Sequence, residues 1–355
     1  IIAADPQGQL GQRVADKYGA GLPFLLKILA AAEPLSLQAH PSKQQAEEGF
    51  ARENAAGIDL TASNRNYKDD NHKPELIVAL TEFYAMAGFR PLAQTRSLFA
   101  ALDCEELAHY EGMLDTDPAA EGDSLRALFT TWITIPGAKR KELISAVVAA
   151  GERLRGNQAG EPWMATVMAT VAKLNEQYPG DIGVLGALLL NHIVLQPGEA
   201  IYLDAGQLHA YVSGLGVEIM ANSDNVLRGG LTPKFVDVPE LVKVLTYQAA
   251  EDPRVDLKDA AETGGIKGAE AWSYPVPIEE FLLDRVELSG EESVEVDSDG
   301  PMIVLCTSGS VALSNAEAEN VSLGAGHAAW IPASDPAAIV RSTGGEDAEV
   351  FIARV

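Results

Sequence analysis

The chain has 355 residues, 47% of them hydrophobic, with 51 acidic against 26 basic side chains and a net charge of −25. That length exceeds the usual single core, so two or three structural units are expected. The acidic balance excludes nonspecific binding to nucleic acid or an anionic membrane, and an anionic substrate would need a local cluster of Lys and Arg. Cys104 and Cys306 are the only cysteines, so neither a disulfide framework nor thiolate metal ligation is expected, and a reducing cytoplasm is the expected compartment. The opening Ile1–Asp5 lacks the basic and apolar regions of a secretory leader, and no segment is long and apolar enough for a membrane span.

In chain order, residues 22–89 mix strands with one helix. Leu35-Ser36-Leu37-Gln38-Ala39-His40-Pro41 alternates, and the two-residue period of a strand puts Ser36, Gln38 and His40 on one face. Ser42 followed by Gln45 forms a capping-box pattern that starts the helix, and Gly57 stops it. Glu75 stands immediately before the apolar run Leu76–Leu80, at a strand mouth. From Pro91 to about Tyr178, apolar residues at three and four spacing over Leu92–Leu102, Leu125–Ile133, Leu143–Leu154 and Trp163–Leu174 predict a helical insertion. After Gly183 short strands return at Leu188–Leu195, Ala200–Leu203 and Val217–Met220, with His209 in a loop between them. Asp237, Pro239 and Glu240 are the cap, first turn and capping-box position of a helix reaching Leu245. Residues 251–277 read as a linker. From Phe281 onward, closely spaced β runs at Met302–Cys306, Val311–Leu313, Ala328–Ile331 and Val350–Ala353 favour a jelly roll. The segment Leu195–Tyr202 is echoed by Leu323–Trp330, each a tight glycine turn into a strand. In that register His209 falls on Ala337, so the second barrel is expected to be metal-free.

Gln38, His40, Glu75 and His209 together offer neutral and anionic donors suited to one zinc ion. A single carboxylate on a divalent ion leaves the site positive and strongly Lewis acidic toward a substrate oxygen. Taken singly each has a plainer reading: His40 beside Pro41 is more often structural, Gln38 is a strand hydrogen-bonder, Glu75 pairs with Lys73, and His209 packs in a loop. Their combination carries the metal reading. His192 and His327 lack such context and read as structural, and His109 as exposed. Arg228 stands beside Asn225 and Gly229-Gly230, where residues without side chains let a phosphosugar approach closely. Its planar fork suits a phosphate or a developing oxyanion, with Lys234 and Lys27 as weaker candidates for that charge.

The motifs Pro34-Leu-Ser-Leu-Gln-Ala-His40-Pro41, Tyr67-Lys-Asp-Asp-Asn-His72-Lys-Pro-Glu75, His209-Ala210-Tyr211, Glu218-Ile-Met-Ala-Asn-Ser-Asp224-Asn-Val-Leu-Arg228 and Gly229-Gly-Leu-Thr-Pro-Lys234, in this order, resemble those of the type I mannose-6-phosphate isomerases (phosphomannose isomerases), zinc enzymes of the cupin superfamily. The resemblance implies a mainly β fold: two cupin barrels (double-stranded β-helix, jelly-roll) with an α-helical insertion domain. Residues 1–90 and 183–250 would form the catalytic cupin domain, 91–182 the insertion, 251–277 a linker, and 278–355 a metal-free C-terminal cupin domain. It further implies one zinc per chain on Gln38, His40, Glu75 and His209, and Arg228 as the catalytic arginine. Lys73, His72, Glu218 and Asp224 match positions for proton transfer, and Ser36, Lys27, Lys234 and Asn225 are the expected substrate contacts. The family's longer opening segment, with a Trp-Gly motif and a Glu-Leu-Trp strand, is not found within these 355 residues. The expected activity is interconversion of mannose 6-phosphate and fructose 6-phosphate, with a small phosphosugar as partner. A cupin oxygenase with a two-histidine, one-carboxylate iron site is one alternative, against which Gln38 argues. A sugar-binding cupin without turnover is the other, against which the intact ligand set and Arg228 argue.

Overall fold

The computed structural model describes residues 1–157, 160–249, 252–316, 320–343 and 345–355. They form two compact units, one of Leu29–Gly216 with Ser223–Pro253, the other of Ile1–Ile28 with Val217–Asn222 and Arg254–Val355. The boundary expected between residues 250 and 251 lies outside the described residues.

The first unit is built on antiparallel strands in the order Leu190–Leu195, Phe83–Phe89, the 209–216 part of His209–Ala221, Leu37–Ala39 and Leu227–Gly230. Glu75–Ala79 pairs with Ala200–Leu203. Every residue of Glu75–Ala79 is buried, which is why this strand reads as a continuous apolar run rather than an alternation. His209 does not lie in a loop; it opens the 13-residue strand His209–Ala221. Gly214 and Gly216 break the apolar pattern there, and at Gly214, at φ +126°, the backbone of Glu82 and Phe83 comes so close that a Cβ would sit 2.8 Å from the Glu82 carbonyl.

Between the strands run helices Leu92–Leu102, Glu105–Glu111, Glu121–Ile133, Gly137–Gly156 and Pro162–Gln177. The apolar stripe of Gly137–Gly156 buries Leu143, Val147, Ala150 and Leu154. Gly151 lets Met168 of the neighbouring helix approach to where a Cβ would be only 2.4 Å away. One continuous core runs from Leu37 and Phe89 through Phe99, Leu128 and Trp132 to Val171, so insertion and sheet share their apolar interior. Arg90 is buried at this junction. Its guanidinium donates to the Leu188 and Leu190 carbonyls at 3.2 and 2.6 Å, beyond the short helix Ile182–Gly186, and stacks on Trp163.

The helix after the His40 strand, Lys43–Ala55, begins with a reciprocal capping box between Ser42 and Gln45, and Gly57 follows its end at φ +71°. Asp237 caps Val238–Val244 by accepting from the Glu240 N–H.

In the second unit a five-stranded antiparallel sheet (Ile266–Lys267, Ser293–Val296, Ala338–Ser342, Ser310–Ser314, Val321–Gly324) and a six-stranded one (Ala328–Ile331, Met302–Ser308, Ala348–Arg354, Leu282–Leu288, Ala271–Tyr274, Lys258–Asp259) enclose Val294, Val304, Val340 and Val350. The described part of 251–277 is therefore not a linker: it supplies strands to both sheets. Runs of two to four residues among glycines are too short to register as a pattern. The echoed turns do match, with Gly198 at φ +88° and Gly326 at φ +82°, each two residues before its strand. Among the described residues, no helix is long and apolar enough to cross a membrane.

Candidate metal centre

Strand pairing assembles the centre. Gln38 is the register partner of His209 on one side and of Arg228 on the other, and residues directly opposite in antiparallel strands point to the same face. A bulge between Leu37 and Gln38 takes up one extra residue of the Arg228 strand. Glu75 opens the strand paired to Ala200–Leu203 and brings its carboxylate to the histidines. His40 Nε2 lies 3.1 Å from Glu75 Oε1, and His209 Nε2 lies 3.5 Å from Glu75 Oε2. One ligand atom from each of His40, Glu75 and His209 falls within 4.8 Å of the others, all three side chains being buried. The Gln38 amide nitrogen is 3.5 Å from His209 Nε2, and a half-turn of that amide presents its oxygen instead.

The hydrogen bonds on the far sides of the rings decide what the near sides offer. His40 Nδ1 is 2.7 Å from the Asn225 carbonyl and His209 Nδ1 is 2.9 Å from the Gln207 carbonyl. A carbonyl only accepts, so each Nδ1 carries the proton and each Nε2 presents a lone pair. His40 Nε2 makes no hydrogen bond despite its closeness to Glu75. Two lone pairs and a carboxylate converging in a buried space repel one another unless a cation stands among them. The residues therefore fit a divalent metal, and two imidazoles, a carboxylate and an amide suit zinc. Burial pushes the His40 imidazole down, toward its neutral, ligating form. Burial opposes ionisation of Glu75 too, but the adjoining His40, Lys73 and His209 outweigh it and hold the carboxyl well below its usual range. With His40 neutral, the lasting positive partner is Lys73, whose ammonium is 2.9 Å from Glu75 Oε1.

Other expected residues fall in different settings. Lys73 is buried at the cluster, and His72 and Ser36 are half-buried on the segments that carry it. Arg228 is half-buried beside Gln38. Asp224 is exposed, its N–H donating to Asp69. Lys234 is exposed in the turn after Arg228. In the other unit Glu218 is buried, while Lys27 is exposed with its ammonium 3.5 Å from the Met220 sulfur. Asn225 departs from the expectation of a substrate contact: it is fully buried and its amide is taken up by the backbone of 68–71. Sequence reading gave no role to Tyr211, whose hydroxyl donates to Glu75 Oε2 at 3.3 Å. Its position two residues after His209, on the same strand face, was the available signal.

A buried set of two imidazoles, a carboxylate and an adjacent amide, carried on antiparallel strands, defines a mononuclear metal protein of the cupin type. Residues 1–92 match the phosphomannose isomerase type I catalytic domain, and residues 101–190 match the helical insertion domain of the same family. The chain is 38% identical over 346 residues to mannose-6-phosphate isomerase of Escherichia coli strain K12, spanning 97% of this chain and 82% of that protein. It is 36% identical over 336 residues to mannose-6-phosphate isomerase 1 of Arabidopsis thaliana, covering 91% of this chain and 72% of the relative. A crystal structure of zinc-bound mannose 6-phosphate isomerase superposes with a TM-score of 0.83 at 35% identity, over 99% of this chain and 83% of that one. The chain belongs to the type I phosphomannose isomerase family.

Proposed function

We infer that this protein is a zinc-dependent aldose–ketose isomerase that interconverts mannose 6-phosphate and fructose 6-phosphate through a cis-enediol. The observation that carries the reading is the convergence of two lone-pair imidazoles on a buried carboxylate, in a chain so similar throughout to enzymes of that name. Zinc in this site would supply Lewis acidity toward a substrate oxygen.

The chain's own residues do the rest. His40, His209, Glu75 and Gln38 would hold the ion, with one carboxylate leaving it net positive. Lys73, buried and paired to Glu75, is a proton-bearing cation at the metal cluster and a candidate for donating a proton to a sugar oxygen. Glu218, His72 and Asp224 complete the candidates for moving the proton between carbons 1 and 2. Arg228, next to Gln38, sets a planar cationic fork where the open chain or its developing oxyanion would lie. Ser36, Lys234 and Lys27 are the further candidates for contacts to the sugar phosphate. The small-molecule partner on this reading is a phosphosugar.

Isomerisation in heavy water tests the chemistry. Fructose 6-phosphate formed from mannose 6-phosphate should carry partial deuterium at carbon 1 by mass spectrometry, because a shielded base returns some of the original proton. Isomerised product without any label would contradict proton transfer through an exchangeable base, and oxygen consumption would favour the oxygenase.

A further inference from the structure

Asn225 is fully buried, and all of its polar groups are engaged within the unit that holds the metal ligands. Its amide oxygen accepts from the Lys68 and Asp69 N–H groups at 2.7 and 3.2 Å. Its amide nitrogen donates to the Asp69 and Asn71 carbonyls, both at 2.9 Å, and to the Asp69 carboxylate at 3.1 Å. Its backbone carbonyl accepts from His40 Nδ1 at 2.7 Å. Asp69 closes the arrangement by accepting from the Ser223 hydroxyl at 2.7 Å and the Asp224 N–H at 2.8 Å, while Ser223 Oγ accepts from the Asn225 N–H.

One residue thus grips two parts of the centre. The carbonyl fixes the tautomer and tilt of the His40 ring, and the amide clamps the segment that runs into Lys73 and Glu75 four to six residues later. His40 and Glu75 come from chain segments more than thirty residues apart, and the Asn225 links are a short polar path between them. We propose that Asn225 is a positioning residue of the metal centre: it sets the placement of His40 against Lys73 and Glu75, and so governs zinc affinity and turnover without touching the sugar. The proposal rests on the zinc isomerase reading, and it requires an amide at this position, since only Asn offers an acceptor to two N–H groups and donors to two carbonyls from one short side chain.

Asn225→Asp tests it. The variant keeps shape and acceptor but turns an oxygen toward the Asp69 and Asn71 carbonyls and the Asp69 carboxylate. Zinc affinity should fall by roughly 10- to 100-fold in a chelator competition, the range seen when groups that orient a ligand are lost. At saturating zinc, kcat should fall while KM for mannose 6-phosphate stays within about twofold. A raised KM with unchanged zinc affinity would make Asn225 a substrate contact and overturn the proposal. A lowered unfolding midpoint of the zinc-free protein with unchanged zinc affinity would make it merely structural and overturn it as well. Should Asn225→Asp fail to fold, Ser223→Ala decides, because it leaves the Asn225 amide in place and removes the hydroxyl that joins the Asn225 N–H to Asp69 and to the Asn71 carbonyl: zinc binding weakened several-fold supports the coupling, and binding within twofold of the parent refutes it. The chelator competition reads the same way whether or not the parent turns over sugar, so failure of the isomerase reading is distinguishable from failure of this one.

Discussion

Gly229 and Gly230 follow Arg228 directly, yet alanine should have opposite consequences at the two positions. Gly230 has φ +143°, and a Cβ there would lie 2.6 Å from the Gly183 nitrogen and 2.7 Å from Asp181 Oδ1. The same Asp181 oxygen accepts from the N–H of Leu231, itself held at φ +53°, and from that of Gly183. Forcing an L side chain into such a conformation costs about 2 kcal/mol. The backbone of 181–183 cannot swing aside like a side chain, so strand and helix start must part by about 0.8 Å to reach ordinary contact, costing about 2 kcal/mol more. At Gly229 the nearest atoms are side-chain carbons of Leu208, Leu241 and Leu37 at 3.3 to 3.5 Å, and φ is ordinary, so Gly229→Ala should cost under about 1 kcal/mol. Because a displacement near 1 Å in a catalytic strand can cost on the order of 100-fold in rate, kcat/KM should fall by about that factor for Gly230→Ala and by less than threefold for Gly229→Ala. Urea midpoints of the zinc-loaded proteins and a coupled isomerase assay measure both effects. Equal tolerance at the two positions, or the larger loss at Gly229, would refute a clamp on the Arg228 strand by Asp181 and the first turn of helix Ile182–Gly186.

Arg228→Lys should retain one zinc per chain and the parent's circular dichroism while losing roughly 100-fold or more in kcat, since an ammonium cannot reproduce the planar two-pronged contact; activity within threefold of the parent would remove Arg228 from the mechanism. His192 donates through Nε2 to the Ala187 carbonyl, and burial, helped by nearby Arg90, pushes its imidazole down to about 3. Its folded value lies below the unfolded value of about 6.5, so the unfolded state binds the extra proton and stability is lost as pH falls from 6.5 toward 3. The His192 ring resonances should accordingly show no titration between pH 8 and 5, and a midpoint near 6.5 would contradict the downward shift.

Much of the centre was legible because its chemistry sits in local patterns. Gln38 and His40 share a strand face by simple alternation, Glu75 precedes an unbroken apolar run, and the helices of the insertion announce themselves by three and four spacing. Helix Leu92–Leu102 has the bounds that its apolar stripe suggests. The illegible parts depend on contacts distant in sequence. His209 looked like a loop residue because Gly214 and Gly216 disguise a long strand that pairs with Phe83–Phe89 and Leu37–Ala39, both distant in sequence. Residues 251–277 looked like a linker because the strands within them are too short for periodicity and form only against partners such as Leu282–Leu288. Asn225 looked like a pocket residue by its nearness to Arg228, whereas its partners at 68–71 lie more than 150 positions away.

On the function proposed above, one zinc ion held by Gln38, His40, Glu75 and His209 makes this chain a mannose-6-phosphate isomerase. Stepwise addition of zinc to chelator-treated protein, with fructose 6-phosphate formation followed at each step, tests it most directly. Activity should rise in proportion to added metal, level off at one equivalent per chain, and be absent from His209→Ala at the same zinc concentrations. Folded protein that makes no fructose 6-phosphate at any zinc concentration, or that makes it equally well after the metal has been removed, would contradict the account.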